Sequence, residues 1–323
     1  MRKNPLRLAL VVLTAGLMLA ACHKSPQQQA AAASAAPQLA VQATVKQLKA
    51  GHFDQLLQLA LPPTDYQRFR TDWKHQQQQS LAKITTSDRQ QFTRQMGELT
   101  APGAKAKLLA KLSPALDTWE KKGKQRLPMM VGIFRIMADA KITQSTTLTP
   151  DQKTQAQGVL DALAAWVEAT DWGNKGKAEQ AVGIVVDTAR ALKLKTLDQV
   201  YGLNYDQAMQ RYATAWQGFE QLANVYGLSI NDMLDSVKTK TLSQVGNTAR
   251  VQVDYTVLGK PMTSTLNMVR EGKRWYMSDF LKHWRDEHAR PAPAASVAHA
   301  ASAAAPAPAQ TTKAASTSPA GSH

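Results

Sequence analysis

Ala249-Arg250-Val251-Gln252-Val253-Asp254-Tyr255-Thr256-Val257 is the stretch that decides the fold. Side chains along a strand point to opposite faces in turn, so apolar residues at every second position mark a strand with one buried face. Here Ala249, Val251, Val253, Tyr255 and Val257 alternate with Arg250, Gln252, Asp254 and Thr256. Gly246-Asn247 before the run and Gly259-Lys260-Pro261 after it are turn signals. Leu266 and Met268 continue the alternation, and Glu271-Gly272-Lys273 turns the chain into Arg274-Trp275-Tyr276-Met277. A short helix from Ser278 or Asp279 then carries Phe280, Leu281 and Trp284. Residues 236–290 therefore predict an antiparallel meander of three or four strands with a short terminal helix.

Upstream the period changes to that of a helix. Thr149-Pro150-Asp151-Gln152 combines a capping threonine, a proline suited to the first helical position and a glutamine that can reach back to the cap. Ala156, Val159, Leu160, Leu163 and Val167 follow on one face. Asn204 caps a helix bearing Tyr205, Ala208, Met209, Tyr212, Trp216 and Phe219 at helical spacing. Shorter starts are expected at Thr64 with Gln67 and at Thr196 with Gln199, and further helices over 39–50, 53–60, 65–80, 88–99, 105–121, 128–141 and 176–192. The expected fold class is α+β and predominantly helical: a helical body, 39–235, ahead of the strand region, 236–290.

The ends differ in kind. Arg2, Lys3 and Arg7 precede an apolar run over 8–21, too short to span a bilayer, which takes about 20 apolar residues. A charged start, a short apolar core and small residues at its end predict a secretory signal peptide over 1–21. Leu19-Ala20-Ala21-Cys22 resembles the lipobox of bacterial prolipoproteins. That resemblance implies cleavage before Cys22, acylation of its thiol and usually of the new amino terminus, and anchoring in a lipid bilayer. It also implies sorting to the outer membrane, since His23 rather than Asp follows the cysteine. Cys22 is the sole cysteine, so no internal disulfide can form. Residues 22–38 read as the lipidated cysteine with a flexible tether. Residues 291–323, almost entirely Ala, Pro, Ser and Thr, read as a disordered tail.

Residues 230–284 also resemble the C-terminal half of NTF2-like domains, on Tyr255, Gly259, Gly272, Trp275 and Tyr276. That implies a sheet shape and transfers no site residues. The chain as a whole is similar to uncharacterised proteobacterial lipoproteins, a resemblance that implies no activity.

No residue pattern points to catalysis. The body histidines are His52, His75, His283 and His288, no Gly-x-Ser-x-Gly elbow occurs, and Cys22 is committed to lipid. No cofactor is expected: Gly173-Asn174-Lys175-Gly176-Lys177 lacks the spacing of a phosphate loop. No metal site is expected either. His283 and His288 are five apart and do not share a helix face, whereas His283 and Glu287, four apart, predict a solvated pair. Trp166, Glu168, Asp171 and Trp172 combine aromatics with acids as a sugar cleft would, but they also suit a helix-ending loop with Trp166 in the core.

Charge gives the remaining expectation. With the ends set aside, the body carries about +10, which suits an acidic partner: anionic lipid, lipopolysaccharide phosphates or an acidic protein. Nucleic acid is not expected for an exported chain without a nucleic-acid motif. Lys121, Lys122, Lys124 and Arg126 form the candidate anionic-partner site, directly before the apolar run 127–134 with Ile136 and Met137. Cations beside an apolar helix can rest on an anionic membrane. The plainer expectation is a buried core helix preceded by a basic turn in solvent. The functional expectation is a non-catalytic binding or scaffolding lipoprotein on the periplasmic face of the outer membrane. Its alternatives are an inhibitor or immunity-type lipoprotein against an acidic enzyme, or a carboxylate-based cell-wall enzyme.

Overall fold

The computed structural model describes residues 36–288, and its centre is the alternating strand. Expectations for the leader 1–21, Cys22, most of the tether and the tail 291–323 lie outside the described residues. Helices α1 (Pro37–Lys49), α2 (Phe53–Ala60), α3 (Pro63–Leu81), α4 (Thr86–Thr100) and α5 (Ala104–Thr118) come first. A π turn, Trp119–Gly123, runs into α6 (Lys124–Gln144). Then come α7 (Pro150–Ala169), α8 (Lys175–Leu192), α9 (Leu197–Tyr201), α10 (Tyr205–Val225) and α11 (Ile230–Asp235). Strands β1 (Lys238–Val245), β2 (Thr248–Val257), β3 (Lys260–Glu271) and β4 (Arg274–Met277) precede α12 (Ser278–Glu287). The fold is α+β and mostly helical, as its sequence pattern predicts.

The four strands form an antiparallel meander in the order β1-β2-β3-β4. The pairing sets Val251 opposite Leu266 and Tyr255 opposite Met262 on one side of β2, and Val251 opposite Thr241 on the other. A bulge between Thr241 and Ser243 shifts the β1 register. Ala249, Val251, Val253, Tyr255 and Val257 are all buried, so the alternation does select the core face.

Helix α1 covers that face. Ala40, Val41, Val45 and Leu48 pack into the same core cluster as β2, Met262, Met268 and Trp275. Hydrogen bonds at the edge fix its angle: Gln42 Nε2 donates to Thr239 Oγ1 at 2.8 Å, and Thr241 bonds Gln38. Helix α1 begins at Pro37, two residues ahead of its predicted start, because proline needs no helical N–H at that position. It ends at Lys49, and Gly51 follows with a φ of +67° that only glycine reaches without strain. His52 N–H then bonds Gln47 O at 2.9 Å and the chain enters α2 directly. Ala162, Val159, Ala223, Ile230 and Leu234 close the cluster from α7, α10 and α11, so one core joins the helical and strand regions.

The caps at Thr149, Thr196 and Asn204 form as predicted; Thr149 with Gln152 and Asn204 with Gln207 bond reciprocally as capping boxes. Thr64 does not cap: α3 starts two residues ahead of its predicted start, at Pro63, again through the fixed φ of proline. Thr85 with Asp88 forms a capping box that starts α4 at Thr86. Tyr212 and Phe219 depart from the expected core face of α10, being exposed while Tyr205, Ala208 and Met209 are buried.

Among the described residues, 36–282 belong to one compact unit and 283–288 to another. Within the second, His283 Nε2 lies 3.2 Å from Glu287, the predicted four-apart pair, and Trp284 stacks on His288.

Candidate functional site

Helix α6 carries the basic cluster and the apolar run, and it is not a core helix. Among its residues only Val131 is buried. It packs on α7, its less exposed residues being Leu127, Val131, Gly132, Ala138 and Ile142, and polar pairs join exposed α6 residues to α7. Arg135 pairs with Asp161, Gln157 Nε2 donates to Asp139 at 2.7 Å, and Lys153 Nζ donates to Thr143 O at 2.7 Å. On α6 these partners are 135, 139 and 143; on α7 they are 161, 157 and 153. Both series step by four, as one stripe of each of two antiparallel helices must. Lys260 of β3 also approaches Asp161, at 3.4 Å. Burial works to raise the Asp161 carboxyl, but the hydrogen bonds from Arg135 and Lys260 prevail and hold it below its ordinary value.

Other apolar residues of α6 stay exposed. At about 100° per residue, Met129, Met130, Ile133, Phe134, Ile136 and Met137 fall on one arc of roughly 160°. Their exposures run from 54 % at Ile133 to 72 % at Ile136. Helix α6 is thus apolar on two sides: Leu127, Val131, Ala138 and Ile142 are its less exposed residues, and a second apolar arc is left exposed. The expected buried core helix is corrected accordingly. Spacing shows that a helix has an apolar face, whereas the seam partners on α7 decide where that face points.

The predicted basic turn is not a loop. Lys121 and Lys122 lie in the π turn, and Lys124 and Arg126 in the first turns of α6, so α5 and α6 are continuous helix. The wider turn closes with Lys124 N–H bonding Trp119 O, five residues back. The Trp119 ring covers Gly123, where a Cβ would meet it at 2.5 Å. This explains the missed junction, since glycine suggests a break but here admits an indole.

The four cations separate into two roles. Lys124 is held between Glu120 at 3.0 Å and Asp171 at 3.6 Å, and the Glu120 hydrogen bond, ahead of Asp171, keeps its ammonium protonated to higher pH. It fastens α6 to the loop after α7. Lys121 lies near Asp117, which bonds Lys175 at 2.9 Å. Lys122 and Arg126 are exposed and make no ion pair among the described residues. Arg126 precedes Met129, Met130 and Ile133 by three, four and seven residues, which puts it on the apolar face at its amino-terminal end.

The other candidates resolve into structure. Trp166 Nε1 bonds Tyr226 O and Trp172 Nε1 bonds Val167 O, both at 2.8 Å, while Trp172 stacks on Tyr226. Both indole donors are consumed at the end of α7, and Glu168 and Asp171 stand exposed around them. The 173–177 segment is the loop and first turn of α8, capped by Asn174. No group of three or more metal-ligating side chains occurs among the described residues. No helix among them is long and apolar enough to cross a membrane.

Compared with protein-family models, curated proteins and solved structures, the chain matches none.

Proposed function

We propose that this protein is a non-catalytic, lipid-anchored envelope protein that grips a bilayer twice: through acylated Cys22 and through the outward face of α6. The observation that carries the reading is the exposed apolar arc of α6, made of Met129, Met130, Ile133, Phe134, Ile136 and Met137. Monomeric soluble proteins seldom leave a contiguous apolar patch of this kind uncovered. An apolar stripe flanked by Lys122 and Arg126 matches an interfacial membrane helix, whose apolar side chains enter the acyl boundary while cations meet anionic headgroups. The lipobox resemblance and the absence of Asp after Cys22 support the periplasmic face of the outer membrane as the location. Thirteen residues lie between Cys22 and Ala36, a tether reach of at most about 50 Å. The protein would then act as a scaffold held close to the membrane instead of swinging on its tether.

The test is vesicle flotation with the unacylated chain beginning at His23. It should bind vesicles containing anionic lipid, and Lys122→Glu with Arg126→Glu should abolish most of that binding. Lys124→Glu should weaken it less, since Lys124 already serves Glu120 and Asp171. Unchanged binding after reversal of Lys122 and Arg126 would refute the charge component. Failure to bind any vesicle, together with capture of one acidic enzyme, would replace this reading with the inhibitor reading.

A further inference from the structure

A second surface, remote in sequence from α6, has the chemistry of a small-molecule site. Where the junction of α2 and α3 meets β4 there is an open depression of about 330 Å³, lined by Gln58, Pro63, Tyr66, Gln67, Arg70 and Arg274. Sites for small ligands begin at about this size, roughly 300 Å³.

The polar groups at the depression divide into a satisfied network and an unsatisfied cation. Tyr66 Oη donates to Asp54 at 2.6 Å, and Tyr205 Oη donates to the same carboxylate oxygen at 2.8 Å. Gln58 Nε2 donates to the other oxygen of Asp54 at 2.7 Å. Arg70 Nη1 donates to Tyr66 Oη at 3.2 Å, and its Nη2 is fixed by both oxygens of Asp206, at 2.7 and 2.9 Å. Arg70 is therefore oriented and largely neutralised.

Arg274 is not. Its Nη2 donates to Gln58 O at 2.7 Å, and its guanidinium lies 5.5 Å from the Tyr276 ring centroid. Its Nε is buried without a hydrogen-bond partner, and it makes no ion pair among the described residues. A guanidinium is permanently charged and offers five N–H donors in a planar fork. The Nε is closed to solvent, so an acceptor from outside would meet the remaining Nη–H groups of this arginine, whose charge has no ion pair among the described residues.

We propose that this depression binds the carboxylate of a small molecule, with Arg274 as its principal partner and Arg70 beside it. One uncompensated positive charge suits a monoanion, and the planar fork suits a carboxylate. A dianion would also meet the field of Asp206 and Asp54, which stand close to Arg70. Gln58 Oε1 makes no hydrogen bond among the described residues, so a hydroxyl next to the carboxylate has an acceptor at hand. A 2-hydroxy acid is the simplest molecule with both features.

The unacylated chain from His23 is titrated with lactate, inorganic phosphate and sodium chloride at matched ionic strength. The side-chain Nε–H resonance of Arg274 is followed by nitrogen-15 NMR. Lactate should move that resonance saturably, with a Kd on the order of a millimolar. Arg274→Lys, which keeps the charge but loses the fork, should weaken binding about tenfold. The titration of the unsubstituted chain is decisive by itself should the variant fail to fold. No saturable shift, or the same shift with chloride, overturns the site. Tighter binding of phosphate than of lactate overturns the carboxylate assignment.

Discussion

Replacing Phe134 and Ile136 of α6 together with glutamine isolates the apolar half of the membrane contact. Both side chains lie on the face away from α7, with 64 % and 72 % of their surface exposed. Fully burying such a side chain contributes about 1.5–3 kcal/mol, so moving the exposed two-thirds into the acyl boundary contributes roughly 1–2 kcal/mol each. The pair is therefore worth about 2–4 kcal/mol of partitioning, a fall of roughly thirtyfold to several hundredfold on substitution. Neither residue belongs to the buried core, so the thermal midpoint should stay nearly constant, as for most surface substitutions. Glutamine is also a good helix former, which keeps α6 intact. The assay is partitioning of the unacylated chain from His23 into anionic vesicles, with a melt of the same sample beside it. A loss of less than about threefold with an unchanged melt would refute the argument, because exposed area would then carry no binding energy. Sedimentation of the parent chain without vesicles closes the other route. A dimer that dissociates on the same double substitution would assign the face to a second copy of the chain.

Two further outcomes test the packing behind this face. Gly218 of α10 sits so close to α8 that an added Cβ would lie 2.2 Å from Thr188 Oγ1 and 2.9 Å from Thr188 Cβ; Gly218→Ala should therefore destabilise by about 1–3 kcal/mol in chemical denaturation. Thr188→Ala in the same chain should recover part of the loss, and full stability in Gly218→Ala alone would show that the two helices do not approach this closely. Glu220 on α10 is raised above its ordinary carboxylate value of 4.5, chiefly by burial, against the opposing pull of the Trp216 indole and Lys49. The folded state thus keeps this proton to higher pH than the unfolded chain, and the associated stability is full below pH 4.5 and lost as pH rises through the raised folded value. Glu220→Gln should remove that decline, and a pH–stability profile identical to the parent's would refute it.

The sheet was legible because a strand has a period of two and buries one face, so Val251, Val253, Tyr255 and Val257 name their own side. The helix starts at Thr149 and Asn204 were legible for an equally local reason: a side chain that bonds the backbone three residues on leaves its signature within one turn. The lipobox and the cluster at 121–126 are local too, and both stand in the sequence whatever the rest of the chain does. What the sequence withheld is long-range. Arg70 and Arg274 are separated by most of the chain and meet at one depression only because β4 closes beside the α2–α3 junction. Helix α6 shows this most clearly. Its apolar residues repeat as those of a core helix would, and nothing within 124–144 says whether that face is covered. The decision rests with α7: Leu127, Val131, Ala138 and Ile142 lose exposure, the pairs to Lys153, Gln157 and Asp161 join the two helices, and Met129, Ile133, Phe134 and Ile136 stay exposed. Periodicity is a property of one helix, whereas burial is a property of the pair, and only the tertiary structure contains the pair.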